Sequence, residues 1–429
     1  MRYFINIYVF RIKKILVLSV VNHISMDNPF SKFTNSRTIQ ADLSLLEENY
    51  IPDSFPHREK QINDMVTILS SIMRNSRPSN IIVYGKTGTG KTSTTKYVTR
   101  MLQEATSNVE VIYVNCEIYD SPYSILVYVA NFAGGEKIPE LGWPVDRIYR
   151  EAVDRINGTG KFFVIVLDEM DRLIKKSGGD SLYVLLKLMT DVENVKVSMI
   201  GITNDTTLLE NLDSRIKSRL NQESIVFPPY NATEIRDIIA SRLEKVFGPG
   251  VVDDTAINLC AAIGAQEHGD ARKAIDLMRI AIEIAIRENR LKVTEKEVYE
   301  ARDKYEMNVM HEAINTLPIH SKIVLLSAIV TQEIEPNSVI TGEIYENYRR
   351  ICEDLGFTPL TPRRISDLLT ELSDYGLIVV DERNMGKYGR TRGFSVVKEI
   401  ETIKKYLMED ENLSMFKTSK MTKQARFDS

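Results

Sequence analysis

The sequence predicts an α/β fold built on a parallel sheet, followed by a helical segment and then by a smaller segment of helices and a β-hairpin. Three observations lead to this prediction. Short apolar, β-branched runs alternate with stretches of helical periodicity over roughly the first half of the chain. A helical pattern then continues from about residue 231 to residue 305. Residues 307–400 carry several more helical stretches and end in two strand-like runs.

The most specific local pattern is the run over residues 80–92, which reads NIIVYGKTGTGKT. Its apolar start is typical of a buried parallel strand, and the spacing G-x-x-x-x-G-K-[ST] that follows is that of a phosphate-binding loop. In such a loop backbone N–H groups point at nucleotide phosphates, the lysine neutralises them, and the hydroxyl of the last residue is placed for Mg²⁺. The pattern predicts that ATP or ADP, with Mg²⁺, is bound by Gly85, Gly88, Thr89, Gly90, Lys91, Thr92 and Ser93.

Composition limits the remaining possibilities. Of the 429 residues, 43% are hydrophobic and 27% are charged, as is ordinary for a folded globular chain. The net charge of -4 argues against a uniformly basic nucleic-acid-binding protein, so any contact with DNA must come from a local basic surface. The three cysteines are far apart and the five histidines lack metal-ligand spacing, so we predict neither a disulfide framework nor a structural metal.

The first residues differ from the rest of the chain. Basic residues, no acids and a short apolar run over residues 15–21 give a weak likeness to a signal peptide, but the run is too short to span a membrane. We expect residues 1–26 to be a dispensable leader or a mis-assigned start, with Met26 as the true first residue. We expect no membrane association.

The elements of the sheet region follow from periodicity and from breaks at glycine, proline and asparagine. Helices are predicted over residues 59–74, 91–104, 119–133, 143–157 and 181–192. Strands are predicted over residues 81–84, 109–114, 161–167, 195–202 and 225–229. Asn231 is expected to cap the first helix of the helical segment.

Polar residues at the ends of two apolar strands complete a candidate nucleotide site. Asp168 and Glu169 follow one strand, where Asp168 would hold Mg²⁺ through water and Glu169 would orient an attacking water. Asn204 follows the next strand and would face the terminal phosphate, although an Asn-Asp pair also favours a simple turn.

Arg215 and Arg219 lie four residues apart on one helix face. Arg219 is the better candidate for an arginine finger that reaches a neighbouring subunit, and exposed salt bridges are the alternative.

The C-terminal segment has the element order of a winged helix. Helices are predicted over residues 312–317, 321–331, 341–355 and 361–375, and strands over residues 376–380 and 393–397. The last of these helices begins with Thr361, Pro362, Arg363 and Arg364, as a recognition helix entering the major groove would. Residues 401–429 are polar and are predicted to be a flexible tail.

The loop between the last two strands is the best candidate for a DNA contact. Residues 383–392 read RNMGKYGRTR, with four basic residues and no acid, as suits a wing lying over a minor groove. A solvated hairpin tip is the alternative. The candidate wing contacts are Arg383, Lys387, Tyr388, Arg390 and Arg392.

Six stretches of the sequence, taken in order, resemble AAA+ ATPases. They resemble more closely the archaeal replication initiators of the origin-recognition-complex and cell-division-cycle family. The stretches are YIPDSFPHREKQI at 50–62, IVLDEMDRL at 165–173, GITND at 201–205, LDSRIKSRL at 212–220, FPPYNATEI at 227–235 and GDARKAIDL at 269–277. The resemblance covers roughly residues 27–400. It implies an ATPase core over residues 27–230, a helical lid over 231–306 and a winged-helix domain over 307–400.

The resemblance also implies roles for residues that no motif above assigns. Ile51, Pro52 and Tyr230 would contact the adenine, Arg242 would contact the nucleotide from the first lid helix, and Arg272 would sense the terminal phosphate from the lid. The family's activity implies an ATP-switched initiator that hydrolyses ATP slowly, binds duplex origin DNA and recruits the replicative MCM helicase, with a second initiator protomer as a further partner. Its expected location is the cytoplasm, at the nucleoid.

Two other functions remain open from the sequence. A remodelling or clamp-loading ATPase would share the nucleotide site but would form a ring with fast turnover, and the winged helix argues against it. An ATP-dependent transcription regulator would use the same DNA-binding domain at promoters instead of at origins.

Overall fold

The computed structural model describes residues 42–416, except positions 48, 209, 211, 221, 248–249, 335–338, 385–389, 397–398 and 415. The predicted leader therefore lies outside the described residues. The chain divides into two compact units, Met1–Ala301 and Arg302–Ser429. None of the helices in the described ranges has the length and apolarity that a membrane span requires.

The first unit is organised around a five-stranded sheet in which every neighbouring pair is parallel. Its strands are β1 (Asn80–Tyr84), β2 (Val109–Asn115), β3 (Phe162–Asp168), β4 (Val197–Thr203) and β5 (Gln222–Val226), in the spatial order β2-β3-β4-β1-β5. Every residue of β1, β3 and β4 is buried. Strands buried on both faces have nearly continuous apolar sequence, as these three do apart from Asn80, Asp168, Ser198 and Thr203. The predicted parallel sheet is confirmed.

Helices cover both faces of this sheet. They are α1 (Glu59–Leu69), α2 (Lys91–Ala105), α3 (Pro122–Phe132), α4 (Val145–Thr159), α5 (Met170–Ser177), α6 (Gly179–Asp191) and α7 (Ser214–Leu220). Alternate residues of β1 belong to separate apolar clusters, with Ile82 in one and Ile81 and Val83 in the other. Because successive side chains of a strand point to opposite faces, the two clusters are the two helix-covered faces.

The elements of the first unit differ from the predicted ones at three points. The helix predicted over residues 59–74 ends at Leu69 and continues as the 3-10 turn Ser70–Arg74, closed by Asn75 in the left-handed region at φ 53°. Helix α5 was not predicted. The last strand ends at Val226 and not at residue 229, because Pro228 and Pro229 have no N–H to donate to a ladder.

The helical segment of the first unit contains α8 (Ala232–Val246), α9 (Asp254–Gln266) and α10 (Ala271–Arg287). Asn231 caps α8 in a reciprocal capping box with Glu234, which confirms the predicted cap. The next helix, α11 (Glu295–Thr316), contains the boundary between the two units. The domain boundary predicted between residues 306 and 307 lies within this helix, which continues through it because no glycine or proline occurs there.

The second unit has the predicted winged-helix order of elements. It contains α12 (Ile319–Ile334), α13 (Thr341–Leu355), α14 (Pro362–Asp374), the antiparallel strands β6 (Ile378–Asn384) and β7 (Arg390–Val396), and α15 (Ile400–Leu407). The Thr361 hydroxyl accepts from the Arg364 N–H and caps α14. The flexible tail predicted over residues 401–429 is wrong in its first half. Four apolar residues there are buried in the core of this unit: Ile403, Leu407, Leu413 and Phe416.

A buried ion pair fixes this C-terminal extension and provides a stability test. Lys322 Nζ donates to Asp410 Oδ2 at 2.7 Å, with side chains 10% and 17% exposed. We expect Asp410→Asn to lower the free energy of unfolding at pH 7 by about 1–3 kcal/mol, measured by urea denaturation of the full chain, because it leaves a poorly hydrated ammonium without its counter-ion. Glu353→Gln, which breaks an exposed pair with Arg349, is the control and should cost less than about 0.5 kcal/mol.

The same pair gives a pH dependence with a defined sign. The hydrogen bond from Lys322 lowers the pKa of Asp410 below its usual value. A carboxylate with a lowered folded-state pKa contributes stability above a pH of about 4, and this contribution is lost as the pH falls through the lowered pKa. The difference in the free energy of unfolding between the parent protein and Asp410→Asn should therefore decrease in acid. A difference that stays constant from pH 7 to pH 3 would contradict this account.

Candidate functional site

The carboxyl ends of three strands meet at one edge of the sheet. Strand β4 lies between β1 and β3, so that Ile200 is paired with Ile81 on one side and with Val166 on the other. The segments that follow the three strands therefore emerge side by side, around a cleft of about 440 Å³. The cleft is lined by Thr87, Gly88, Thr89, Gly90, Lys91, Thr92, Asp168, Glu169, Asp171, Arg172, Lys175, Ile202, Thr203, Asn204 and Arg272.

The phosphate loop joins β1 to α2 and forms one wall of this cleft. Gly88 and Gly90 have φ angles of 72° and 87°, in the left-handed region that favours glycine. Gly88 also has no room for a side chain, since a Cβ atom there would lie 1.8 Å from Asp270 Oδ1. Of the predicted loop residues, Gly85 and Ser93 are outside the cleft wall.

Lys91 is held inside the cleft by neutral oxygen atoms. Its side chain is buried, and Nζ donates to the carbonyl oxygens of Gly85 at 2.8 Å and Lys86 at 2.7 Å and to Asn204 Oδ1 at 2.8 Å. Burial, followed by the charge of Arg272, lowers the pKa of Lys91 to about 8, and nearby carboxylates oppose this shift. An ammonium held in this way would gain from an added anion, as a bound phosphate would supply.

Thr92 and Asp168 provide an oxygen pair suited to Mg²⁺. Thr92 Oγ1 lies 3.0 Å from Asp168 Oδ2 and 3.2 Å from Oδ1, and Asp168 is only 9% exposed. Mg²⁺ at nucleotide sites takes one or two protein oxygens and completes its octahedron with phosphate and water oxygens, so these residues fit the ion. Within the described ranges no cluster of three or more His, Cys, Asp or Glu side chains could hold a metal by itself.

Glu169 is one of the residues that line the cleft. Its backbone is in the left-handed region at φ 54°, and its carboxylate is paired with Arg172 Nε at 2.7 Å. Arg172 also contacts Glu117 at 3.2 Å. Glu169 thus reaches the cleft as a predicted base would, while its carboxylate is shared with an arginine.

Asp171 is a site residue that the sequence analysis missed. It is 7% exposed, and its Oδ1 accepts from Thr203 Oγ1 at 3.2 Å and lies 3.5 Å from the Asn204 N–H. The contact holds the turn after β4, so that the Asn204 side chain faces Lys91. No local pattern indicated this role, because Asp171 lies in α5, a helix that was not predicted.

The residues expected to contact adenine, and Arg242, expected to contact the nucleotide, are not among the residues that line the cleft. Tyr230 is 5% exposed, and its hydroxyl approaches the loop, since a Cβ atom on Gly90 would lie 2.9 Å from it. Arg242 Nη1 donates to the Leu45 carbonyl oxygen at 3.3 Å. Ile51 and Pro52 are half-buried. The adenine contacts of Ile51, Pro52 and Tyr230 and the nucleotide contact of Arg242 stay predictions.

Arg58, a second residue that the sequence analysis missed, braces this region. Arg58 is 2% exposed, and its guanidinium lies 3.7 Å from the centre of the Tyr230 ring. It donates to the carbonyl oxygens of Thr89 at 3.0 Å and Pro228 at 2.7 Å. Arg58 thereby ties the phosphate loop to the segment that leads into α8.

The predicted lid sensor, Arg272, and the predicted arginine finger, Arg219, lie in different places. Arg272, in the first turn of α10, lines the cleft. Arg219 is exposed on α7, 4.8 Å from the centre of the Tyr183 ring, and is not among the residues lining the cleft. Its role as an arginine finger stays a prediction.

The candidate DNA contacts all lie in the second unit. Arg363 and Arg364 occupy the exposed first turn of α14, where Arg364 is paired with Glu371 at 3.1 Å. Arg383, Arg390 and Arg392 lie on β6 and β7. Lys387 and Tyr388 lie outside the described residues.

Three family models match the chain. The match to an AAA domain covers residues 73–209, that to the Cdc6 AAA+ ATPase-type lid domain covers residues 236–303, and that to the CDC6 C-terminal winged helix domain covers residues 312–406. Together with the parallel sheet and the phosphate-loop cleft, these matches define the class: an AAA+ ATPase with a Cdc6-type lid and a C-terminal winged helix.

Similarity to individual proteins is more specific. The chain is 84% identical over 403 residues to ORC1-type DNA replication protein 2 of Thermoplasma acidophilum, covering 94% of this chain and 100% of the relative. It is 54% identical to the ORC1-type DNA replication protein of Picrophilus torridus, covering 94% and 98%. The structure of the Aeropyrum pernix ORC1 protein in complex with DNA superposes with a TM-score of 0.75 at 38% identity, covering 86% and 97%. The chain belongs to the archaeal ORC1-type family of DNA replication proteins, which confirms the resemblance.

The contact made by Asp171 predicts a kinetic effect. We expect Asp171→Ala to lower kcat for ATP hydrolysis about tenfold to a hundredfold, because Asn204 loses its backbone anchor and shifts relative to the terminal phosphate. KM should change little, since Asp171 would not touch the nucleotide. The measurement is steady-state phosphate release. Lys176→Ala, which removes an exposed lysine of the same helix that does not line the cleft, is the control and should leave kcat near the parent value. Equal losses in the two variants would count against the anchoring role.

Proposed function

We propose that this protein is an ATP-dependent initiator of DNA replication that binds duplex origin DNA and recruits the replicative MCM helicase. One observation carries the proposal. A phosphate-loop cleft and a winged helix occur together in a chain that matches, over 86% of its length, an ORC1 protein solved in complex with DNA. A phosphate-loop site alone would fit many ATPases, and a winged helix alone would fit many DNA-binding proteins.

The nucleotide supplies the switch in this proposal. ATP or ADP with Mg²⁺ would occupy the cleft, with Lys91 on the phosphates, Thr92 and Asp168 toward Mg²⁺, and Glu169 orienting the water. The Ala271 N–H donates to the Gly88 carbonyl oxygen at 3.2 Å, so the loop that would hold the phosphates also contacts the first turn of the lid helix α10. A change from ATP to ADP would therefore bias the position of the lid, and slow turnover would make this state persist.

The winged helix supplies the DNA contact. Arg363 is exposed at the first turn of α14, where the helix N-terminus favours phosphate contacts and side chains reach base edges. The hairpin of β6 and β7 carries the basic sequence expected of a wing. Arg219, exposed on α7, would meet the nucleotide of a second protomer.

The first test is origin binding. We expect the protein to prefer a duplex from the organism's own replication origin over a scrambled duplex by at least about tenfold, measured by fluorescence anisotropy with ATP and with ADP at fixed salt. Arg390→Ala/Arg392→Ala should weaken binding and reduce the slope of log affinity against log salt by about 2, because two phosphate contacts are lost.

The matched control for the wing variant is Arg100→Ala/Arg287→Ala, which removes two exposed arginines from helices of the first unit. It should retain the origin preference. Equal, weak binding to both duplexes that the wing substitutions leave unchanged would refute the initiator proposal and would favour a remodelling ATPase.

The second test separates nucleotide binding from hydrolysis. We expect Glu169→Gln to bind ATP like the parent but to hydrolyse it at least about a hundredfold more slowly, because the general base is lost. Its complex with DNA should then stay in the ATP-dependent state over the time of the assay. Glu117→Gln removes the other glutamate on Arg172 and should hydrolyse ATP near the parent rate. Normal turnover in Glu169→Gln would exclude Glu169 as the base.

A further inference from the structure

Tyr113 on β2 is a neighbour of the Mg²⁺ site that neither the loop motif nor the strand-end motif includes. Strands β2 and β3 are parallel, with Asn115 opposite Asp168. Because side chains alternate along a strand, Tyr113, two residues earlier, projects from the same face as Asp168. Its long side chain reaches the end of the neighbouring strand, where the phenol O–H donates to Asp168 Oδ2.

In the part of the chain that the structure describes, the Asp168 carboxylate accepts from Thr92, from the Glu169 N–H and from Tyr113, and Tyr113 belongs to neither motif. The Glu169 N–H donates to Oδ1 at 3.1 Å, and Thr92 Oγ1 approaches both oxygens at 3.0 and 3.2 Å. Thr92 would turn toward Mg²⁺ and leave the carboxylate when the ion binds. The phenol and the Glu169 N–H would then be the groups that fix the plane of the carboxylate.

Tyr113 is itself held in place. Lys96 Nζ, one turn after Thr92 on α2, lies 4.8 Å from the centre of the Tyr113 ring. This contact restrains the ring, whose phenol O–H donates to Asp168.

We propose that Tyr113 is a positioning residue for Mg²⁺: its phenol orients Asp168 toward the ion that accompanies the nucleotide. The inference rests on the proposed nucleotide binding and deepens it, since it concerns the same site. Removal of a group that hydrogen-bonds to a metal ligand and orients it typically lowers metal affinity about tenfold to a hundredfold. Tyr113 would contact neither phosphate nor water in the reaction, so its effect should appear through Mg²⁺ alone.

The test is a Mg²⁺ titration of nucleotide binding. Affinity for a fluorescent ATP analogue is measured on the full chain at increasing Mg²⁺ and, separately, in EDTA. We expect Tyr113→Phe, which removes one oxygen atom and keeps the ring, to raise the Mg²⁺ concentration at half-effect about tenfold. Its affinity in EDTA should equal that of the parent, because the phenol touches no phosphate.

A matched control removes the same group elsewhere. The Tyr149 hydroxyl donates to Asp191 Oδ2 at 2.7 Å, away from the cleft, so Tyr149→Phe should leave the Mg²⁺ midpoint unchanged. The inference is overturned if Tyr113→Phe has the parent midpoint, if its midpoint falls because the phenol competes with the ion, or if its affinity in EDTA falls equally.

The outcomes also separate this inference from the proposed function. If the parent itself binds the analogue without any dependence on Mg²⁺, the proposed ATP and Mg²⁺ site is refuted and the inference with it. If the shift in midpoint is found but the origin preference is absent, the role of Tyr113 stands and the initiator proposal fails.

Discussion

The alignment of β1, β4 and β3 is the constraint on which the site depends. Each strand is buried at every position, so a slip by one residue would turn apolar side chains out of one core and into the other. The register is therefore fixed by the packing of apolar side chains along the strands, and not by the polar residues at their ends. It places the phosphate loop, Asp168 and Asn204 at one edge of the sheet, where parallel α/β folds bind their ligands.

Charge balance in the cleft depends on this alignment. Lys91 is buried against carbonyl and amide oxygens, while Arg272 adds a second positive charge and three aspartates act in the opposite direction. A buried ammonium with only neutral partners carries a desolvation cost that its hydrogen bonds offset in part. Phosphate oxygens would replace those partners with charged ones. Binding energy for nucleotide would thus come from an incompletely compensated charge in the loop.

How much the sequence could predict depended on whether a contact is local. Short motifs contain the loop glycines, Lys91, Asp168 and Asn204. The residue types and spacing within each motif predict its chemistry. Tyr113, Asp171 and Arg58 act across strands or across more than a hundred residues of chain, so no spacing reveals them. The buried helix α15 was missed for a related reason. Its few apolar residues have meaning only once the core of the second unit is present to receive them.

Gly88 brings the phosphate loop close to the lid helix α10, because it has no side chain. Its α-carbon lies against the Asp270 carboxylate, which caps α10 by accepting from the N–H groups of Arg272 and Lys273. The N-terminus of a helix favours negative charge, and here a side chain of the chain itself satisfies it. A phosphate entering the loop would bring a second anion close to this carboxylate. The charge of a bound nucleotide would therefore be coupled to the position of α10 through this close approach.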